Sequence, residues 1–212
     1  MKYLVLSILF LSLSAFAQND EKSQQLLNKM SKEIKSLGSF YMEFSFSMKN
    51  ASTGEDSKES GKGYVQGDKF NATLGDNEII SNGMKIWTIV KEENVAYESS
   101  ADDDDDESIN PKRLMTIWES GFKNKYVKED KLNGKTVHMI NLFPTNPGEV
   151  QYHTITLYID AATSELTKAI MKTKDGTTMA YEITSFKKNP EIAASKFVYD
   201  AKKYPGYKLI RD

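Results

Sequence analysis

The stretch Phe40-Tyr-Met-Glu-Phe-Ser-Phe-Ser-Met48 is the strongest strand signal in the chain, because its large apolar side chains recur at every second residue. Successive side chains of a β-strand point to opposite faces, so this period predicts a strand with one apolar and one mostly polar face. Phe44 and Phe46 are therefore predicted to lie on the same face, turned towards the protein interior.

Further β-type runs follow along the chain, and turn signals such as Asn82-Gly83, Asn133-Gly134 and Asp175-Gly176 separate many of them. Asn-Gly and Asp-Gly favour tight hairpins, which join antiparallel neighbours. The polar residues 50–62 are predicted to form a hairpin loop. The other predicted strands are 63–66, 69–74, 78–81, 84–90, 95–98, 125–130, 136–143, 154–160, 166–174, 178–187 and 207–210.

An amphipathic helix is predicted before the first strand, over residues 20–37. Leu26, Met30, Ile34 and Leu37 recur at helical spacing and form an apolar stripe along it, which Leu27 widens. Asn19 or Asp20 can cap its start, and Gly38 is a typical residue for its end.

A second, shorter helix is predicted between Asn110 and Gly121. Asn110 is a suitable N-cap, and Pro111 suits the first helical position because it has no N–H to donate. The side chains of Leu114, Ile117 and Trp118 are predicted to line one face of this helix.

These elements indicate one domain, residues 18–212, that is mainly β with α: about eleven antiparallel strands, a leading helix and a helical insertion. A single sheet of that size must curl, close or pack on a second layer. Two architectures stay open on the pattern alone. One is a curved sheet whose apolar hollow is partly filled by the helices, and the other is a fully packed sandwich.

Residues 1–17 read as a cleaved secretory signal peptide. Lys2 provides the positive charge, residues 3–13 are apolar, and Ala15-Phe-Ala17 is a small-x-small site that predicts cleavage after Ala17. The apolar run is too short to span a bilayer core of about 30 Å. The mature protein is therefore predicted to be exported into a bacterial envelope space, the periplasm.

Charge and cysteine content exclude several classes of protein. The 212 residues carry 28 Lys and Arg against 30 Asp and Glu, a formal net charge of −2. Nucleic-acid-binding proteins usually show a basic excess, so a nucleic-acid partner is not expected. The chain has no cysteine, which excludes disulfides, thiolate metal sites and a cysteine nucleophile.

No convincing catalytic constellation is present. The two histidines, His138 and His153, lie in strand-like runs without metal-ligand spacing. We therefore expect no enzyme activity, no cofactor and no metal. The acidic run 102–107 is interpreted as an exposed, solvated loop, because like charges at this density repel one another. A weak divalent-cation site is the alternative interpretation.

Several short motifs, in this order, resemble the LolA family, the periplasmic carriers of outer-membrane lipoproteins, and one divergent branch of it in particular. The leading helix runs into Leu37-Gly-Ser-Phe-Tyr-Met-Glu-Phe, and Gly61-Lys-Gly-Tyr-Val follows. Ile80-Ser-Asn-Gly-Met-Lys-Ile-Trp resembles the family's S-D-G-x-x-x-W hairpin. Ala194-Ser-Lys-Phe-Val-Tyr resembles its terminal A-x-x-F-x-F element.

The resemblance implies an unclosed, half β-barrel with helices as a lid over an apolar cavity. It implies a monomeric carrier that takes lipoprotein acyl chains from an inner-membrane ABC transporter and delivers them to an outer-membrane acceptor, which can be absent or different in this branch. The predicted cavity residues are Met42, Phe44, Phe46, Tyr64, Phe70, Trp87, Ile89, Tyr97, Ile140, Leu142, Ile155, Leu157, Met179 and Tyr181. The predicted lid residues are Leu26, Met30, Ile34, Leu114, Ile117 and Trp118.

One departure from the family concerns the control of the lid. An Arg-Pro pair is common in the family where the second strand turns, and the arginine helps to hold the lid. Here the turn reads Gln66-Gly-Asp-Lys69, and a lysine lacks the bidentate fork of arginine.

Other functions stay open on the sequence. A carrier of another envelope lipid would have the same fold and cavity. A lipid sensor would act through a membrane-anchored partner, and a hydrolase would need a nucleophile–histidine pair in the cavity. Ordinary core packing is the alternative for each predicted cavity residue.

Overall fold

A computed structural model describes residues 20–101 and 115–211. These residues form an α-helix, twelve β-strands of one sheet, and 3₁₀ turns at Ile117–Glu119, Ala194–Phe197 and Ala201–Lys203. The predicted signal peptide, residues 1–17, lies outside the described residues. The elements are α1 (Glu21–Lys35), β1 (Ser39–Asn50), β2 (Glu55–Gln66), β3 (Lys69–Leu74), β4 (Asn77–Ser81), β5 (Lys85–Val90), β6 (Val95–Ser100), β7 (Phe122–Leu132), β8 (Lys135–Pro144), β9 (Tyr152–Asp160), β10 (Leu166–Thr173), β11 (Thr177–Lys188) and β12 (Lys208–Arg211).

The strand order in the sheet is β12-β6-β5-β4-β3-β2-β1-β11-β10-β9-β8-β7. Neighbours are antiparallel except for β12, which pairs with β6 in parallel. The two edge strands, β12 and β7, do not pair with each other, so the sheet is not closed into a barrel. The predicted mainly-β, unclosed architecture is confirmed. A two-sheet sandwich is wrong for the described residues, because all their strands belong to one sheet.

Strand β2 is longer than predicted. The loop predicted over 50–62 is wrong, because only residues 51–54 form the turn and β2 already begins at Glu55. Gly54 has a φ of +76°, which a glycine adopts without strain. The first half of β2 is mostly exposed on both faces, so it carries no apolar alternation that could mark it as a strand.

We call the face of the sheet that carries Phe44 the inner face, and helix α1 packs on it. Leu27, Met30 and Ile34 of the helix are buried in one cluster with side chains of β1, β2, β3, β4, β5, β8, β9 and β10. Met30 has no exposed surface, and Ile34 is 8% exposed. Leu27, expected only to widen the apolar stripe, is more deeply buried than Leu26, which is only partly buried.

Polar contacts hold both ends of α1. At its start, Asp20 accepts a hydrogen bond from the Ser23 N–H at 2.9 Å and caps the helix. The Ser23 hydroxyl donates to Asn124 of β7, and both residues are buried. Beyond its end, the Gly38 N–H donates to Asn189 at 2.9 Å. The helix therefore runs across the inner face from the edge strand β7 to the start of β1.

The second helix is not confirmed where the structure describes it. Asn110, Pro111 and Leu114 lie outside the described residues. From Met115 onward the chain forms a 3₁₀ turn, since the φ of −136° at Thr116 is incompatible with an α-helix. The turn is held to α1 because the indole N–H of Trp118 donates to the Ser31 hydroxyl at 2.8 Å.

The outer face of the sheet, at the β4–β6 end, is covered by the C-terminal segment. Ile80, Trp87, Ile89 and Ala96 form a second buried cluster there. The side chains that pack on this cluster are Tyr199, Tyr204, Tyr207 and Leu209. The Tyr204 hydroxyl donates to Glu78 at 2.9 Å, which ties the segment to β4.

Gly61 of β2 lies directly opposite Phe44 and permits close packing on the inner face. A β-carbon at this position would meet the Phe44 ring and would lie 2.6 Å from the Thr73 carbonyl oxygen. We expect Gly61→Ala to lower the free energy of unfolding by about 1–3 kcal/mol, the usual cost of overpacking a core. Urea denaturation measures the change.

Gly148→Ala is the matched control, because a β-carbon there meets nothing within 4 Å and the backbone has no positive φ. Its stability should stay within about 0.5 kcal/mol of the unsubstituted protein. Equal effects of the two substitutions would contradict the packing of Phe44 over Gly61.

Candidate functional site

The inner face brings together half of the predicted cavity residues in one buried cluster. Their side chains pack against one another and against α1, so the region beneath the helix is filled by protein atoms. These residues are Met42, Phe44, Phe70, Ile140, Leu142, Ile155 and Leu157. The face also buries Val65, Ala72, Ile79, Ile86 and Met115, which the sequence reasoning did not single out.

The inner face continues past the helix as a half-buried apolar surface, which we call the methionine strip: Phe46, Met48, Met171, Met179 and Tyr181. Met179 lies directly opposite Met48 on one side and Met171 on the other. Residues opposite each other in neighbouring strands project from the same face. The ring centroids of Phe46 and Tyr181 are 4.8 Å apart. The three thioethers and two rings thus form one continuous surface.

The methionine strip is uncharged and is suited to apolar ligands. Burial raises the pKa of Tyr181, so its hydroxyl stays neutral near pH 7. Methionine side chains are flexible and polarizable, and they adapt to apolar partners of varied shape. Phe46 lies opposite the exposed Glu59 of β2, so a carboxylate borders the apolar surface on this side. The flexible thioethers and two rings of this arrangement can accommodate an alkyl chain.

Three predicted cavity residues lie on the outer face, so their assignment to this cavity is wrong. Tyr64 pairs with Tyr41 across the strands, and the amino group of Lys196 lies 4.8 Å from its ring centroid. Trp87 and Ile89 belong to the cluster beneath the C-terminal segment. Both faces of β5 are buried, so its apolar run could not indicate which side chains point inward.

Tyr97 is also outside the inner cluster. It lies opposite Thr88 in the sheet and is 36% exposed. Its hydroxyl donates to Glu93 at 3.2 Å, so the side chain contacts the β5–β6 turn region. It does not join the other predicted residues.

The predicted lid residues that are described lie together on the inner side of α1 and its neighbouring turn. Met30, Ile34 and Trp118 are buried in the inner cluster, while Leu26 and Ile117 are partly buried against it. Leu114 lies outside the described residues. Asn124 was not predicted to be buried, although its side chain accepts the hydrogen bond from the Ser23 hydroxyl that holds the start of α1. A lone asparagine in a lysine-rich strand has no pattern that indicates burial.

A groove of about 680 Å³ lies between α1 and the 3₁₀ turn at Ile117–Glu119, and its lining differs from that of the methionine strip. Asn28, Ser31, Lys32 and Glu119 contribute to its lining, with Leu27 and Trp118 at its base. Lys35, also at the groove, forms an ion pair with Glu119 at 2.7 Å. Charged and amide groups at this density make the groove a poor site for an alkyl chain.

The two histidines have ordinary surroundings. The Nδ1 atom of His138 lies 3.4 Å from the Tyr126 hydroxyl, and His153 contacts Thr154 at 2.8 Å. Within residues 20–101 and 115–211, no cluster of histidine and carboxylate side chains could hold a metal ion. The acidic run 102–107 lies outside those ranges. No helix in the described parts of the chain is long and apolar enough to cross a membrane.

Comparison with known proteins connects this geometry to one family. The family described as outer membrane lipoprotein carrier protein LolA matches residues 13–173. None of the curated proteins is a significant match.

Solved structures share the fold at low sequence identity. An uncharacterized conserved protein from Thermus thermophilus is 10% identical with a TM-score of 0.61, covering 91% of this chain and 100% of its own. LprF from Mycobacterium bovis is 13% identical with a TM-score of 0.50, covering 84% and 97%. The MucA/MucB complex of Pseudomonas aeruginosa is 15% identical with a TM-score of 0.50, covering 85% and 62%.

Met30 tests whether α1 can leave the inner face while the sheet stays folded. Met30→Glu would bury an unpaired carboxylate, which opposes packing of the helix. The helix contributes no hydrogen bonds to the strand ladders, so we expect the strands to remain and the inner face to become accessible. Binding of an apolar dye should rise, while the β-signal in circular dichroism persists at 25 °C.

Asn28→Glu is the control, because it adds the same charge at an exposed position two residues earlier. It should change neither dye binding nor the melting temperature appreciably. If Met30→Glu instead unfolds the whole domain cooperatively at much lower temperature, with no gain in dye binding, α1 is an inseparable part of the core.

Proposed function

The chain belongs to the family of the outer membrane lipoprotein carrier protein LolA, and we propose that it binds lipoprotein acyl chains on the inner face of its sheet. In this proposal the protein works in the periplasm and is not an enzyme. It receives its cargo from an inner-membrane ABC transporter and passes it to an outer-membrane acceptor.

The methionine strip supports the proposal most strongly, because it extends the buried core into a half-buried apolar surface. Met48, Met179 and Met171 lie side by side across three strands, next to the aromatic pair Phe46 and Tyr181. Each buried CH₂ of an alkyl chain contributes about 0.8 kcal/mol. An acyl chain laid along these strands would therefore be stabilised substantially relative to water.

Loading of a whole acyl chain requires α1 to move. The side chains beneath the helix are closely packed, so a ligand that starts on the methionine strip can extend inward only where Leu27, Met30 and Ile34 withdraw. The buried Ser23–Asn124 hydrogen bond and the Trp118–Ser31 hydrogen bond hold the helix in the packed state. We propose that these contacts open and close with the cargo.

In this proposal the Ser23–Asn124 and Trp118–Ser31 hydrogen bonds hold the helix in place of the arginine that is common in the family. In this chain the β2–β3 turn ends in Lys69, whose side chain is exposed. A lysine at the surface cannot supply the bidentate hydrogen bonds of an arginine. Control of the helix is therefore assigned to its contacts with β7 and with the 3₁₀ turn.

A lipid sensor that acts through a membrane-anchored partner is the second candidate. It is favoured by the fold shared with the MucA/MucB complex, in which a protein chain is the partner. A sensor should form a stable complex with one partner that survives gel filtration. A carrier should release its partners after each transfer of cargo.

Mass spectrometry of organic extracts from the protein purified out of its native envelope tests the proposal. We expect acylated peptides or lipoproteins in the extract. A preparation that carries no acylated molecule, and that fails to bind a fluorescent triacylated lipopeptide after purification, would overturn it.

Substitution on β11 locates the binding surface. Met179→Glu places a charge in the methionine strip and should weaken lipopeptide binding by about tenfold or more. Thr178→Glu is the control, since Thr178 lies on the outer face between Lys49 and Lys172. Fluorescence titration should show little change for the control. Equal loss in both variants would exclude the methionine strip as the site.

A further inference from the structure

Lysines are concentrated on the outer face of the sheet between β2 and β7. Residues that lie opposite each other in neighbouring strands share a face, so the strand register traces rows across the sheet. One row crosses seven strands and has a lysine at each end. It runs through Lys58, Ser47, Ala180, Ile170, Thr156, Asn141 and Lys125.

The neighbouring rows follow the same pattern. On one side the register gives Asp56, Lys49, Thr178, Lys172 and Thr154. On the other side it gives Ser60, Ser45, Glu182, Lys168, Tyr158, Met139 and Lys128. We call the six lysines of these rows the lysine face: Lys49, Lys58, Lys125, Lys128, Lys168 and Lys172.

The carboxylates of these rows, and the one beside them on β7, are already paired. Asp56 pairs with Lys49 at 2.8 Å and Glu182 with Lys168 at 3.3 Å. Asp130, two residues beyond Lys128, pairs with it at 2.7 Å.

The remaining lysines leave the face positively charged. Lys58, Lys125 and Lys172 are exposed and form no direct ion pair with a described residue, although Lys58 lies near enough to Glu182 to help lower the pKa of that carboxyl group. The six lysines still outnumber the three carboxylates. The whole chain has a formal net charge of −2, so the positive charge of this face is local.

We propose that the lysine face docks the protein on the surface of an anionic phospholipid bilayer. Each lysine near such a surface contributes favourably, and several together give reversible binding that depends on salt. Docking on a bilayer would be independent of acyl binding, because the lysine face and the methionine strip lie on opposite faces of the sheet.

Two features favour a bilayer over a single anionic molecule or a protein. Between the lysines the face carries uncharged side chains, short ones such as Ser47 and Thr156 and larger ones such as Ile170, Tyr158 and Met139, so an anionic surface meets no unpaired carboxylate within these rows. Its cations are lysines, which act as point charges without the directional fork of arginine. Mobile lipid headgroups can match such a dispersed pattern, whereas a specific ligand needs directional partners.

Co-sedimentation with vesicles tests the inference. The full-length mature protein is mixed with vesicles of phosphatidylcholine alone, or of phosphatidylcholine with phosphatidylglycerol. We expect binding only to the anionic vesicles, and loss of that binding in 0.5 M NaCl. The triple variant K58E/K125E/K172E should bind the anionic vesicles at least about tenfold more weakly.

The triple variant K29E/K91E/K131E is the matched control. These lysines are also exposed but lie on α1, on the β5–β6 turn and on the other face of β7, and the change in net charge is the same. The control should retain most of the vesicle binding. Equal loss in the two variants would show that net charge alone matters and would overturn the lysine face as the site.

Three further measurements separate the possible outcomes. Binding of the fluorescent lipopeptide by K58E/K125E/K172E should be unchanged, so a failure of vesicle docking and a failure of acyl binding give different results. Unsubstituted protein that ignores anionic vesicles but binds soluble polyglutamate would overturn the bilayer as the partner. A melting temperature close to that of the unsubstituted protein verifies that each variant is folded.

Discussion

The stability of the open sheet depends on shielding the apolar inner side of β1 from water. Strand β1 pairs along its length with β2 and β11, so its large inner side chains lie in the middle of a broad apolar surface. Because the sheet does not close, neighbouring strands cannot shield that surface. Helix α1 covers the part around Phe40, Met42 and Phe44. The part around Phe46 and Met48 remains half-buried.

In the proposed carrier, this division separates the part of β1 that stabilises the fold from the part that binds acyl chains. Beneath α1 the inner face is a close-packed core, and its loss would be costly for folding. Beyond α1 the same face consists of flexible thioethers and two rings, which can exchange protein contacts for ligand contacts at little cost. A reversible carrier needs such a region of intermediate burial, because a fully packed face admits no ligand and a fully exposed one promotes aggregation.

Period-two alternation predicted most strands and the inward direction of Phe44 and Phe46, because it reports directly which face is buried. It left the curved sheet and the packed sandwich both open, and only the family resemblance implied the unclosed sheet. The prediction failed where that signal is absent. The start of β2 has two exposed faces, and β5 is buried on both faces, so neither shows alternation. The cover over Trp87 comes from residues more than one hundred positions later, which local pattern cannot indicate. The polar link between Ser23 and Asn124 is likewise a long-range contact.

The position of a bound acyl chain on the sheet can be measured by nuclear magnetic resonance. In protein with ¹³C-methyl methionine, a lipopeptide with a nitroxide near the end of one acyl chain broadens the signals of nearby methyl groups. We predict broadening of Met48, Met171 and Met179, while Met139 on the outer face and the 74% exposed Met84 stay sharp. Broadening confined to Met84 or Met139, or spread evenly over all methionines, would contradict binding on the inner face.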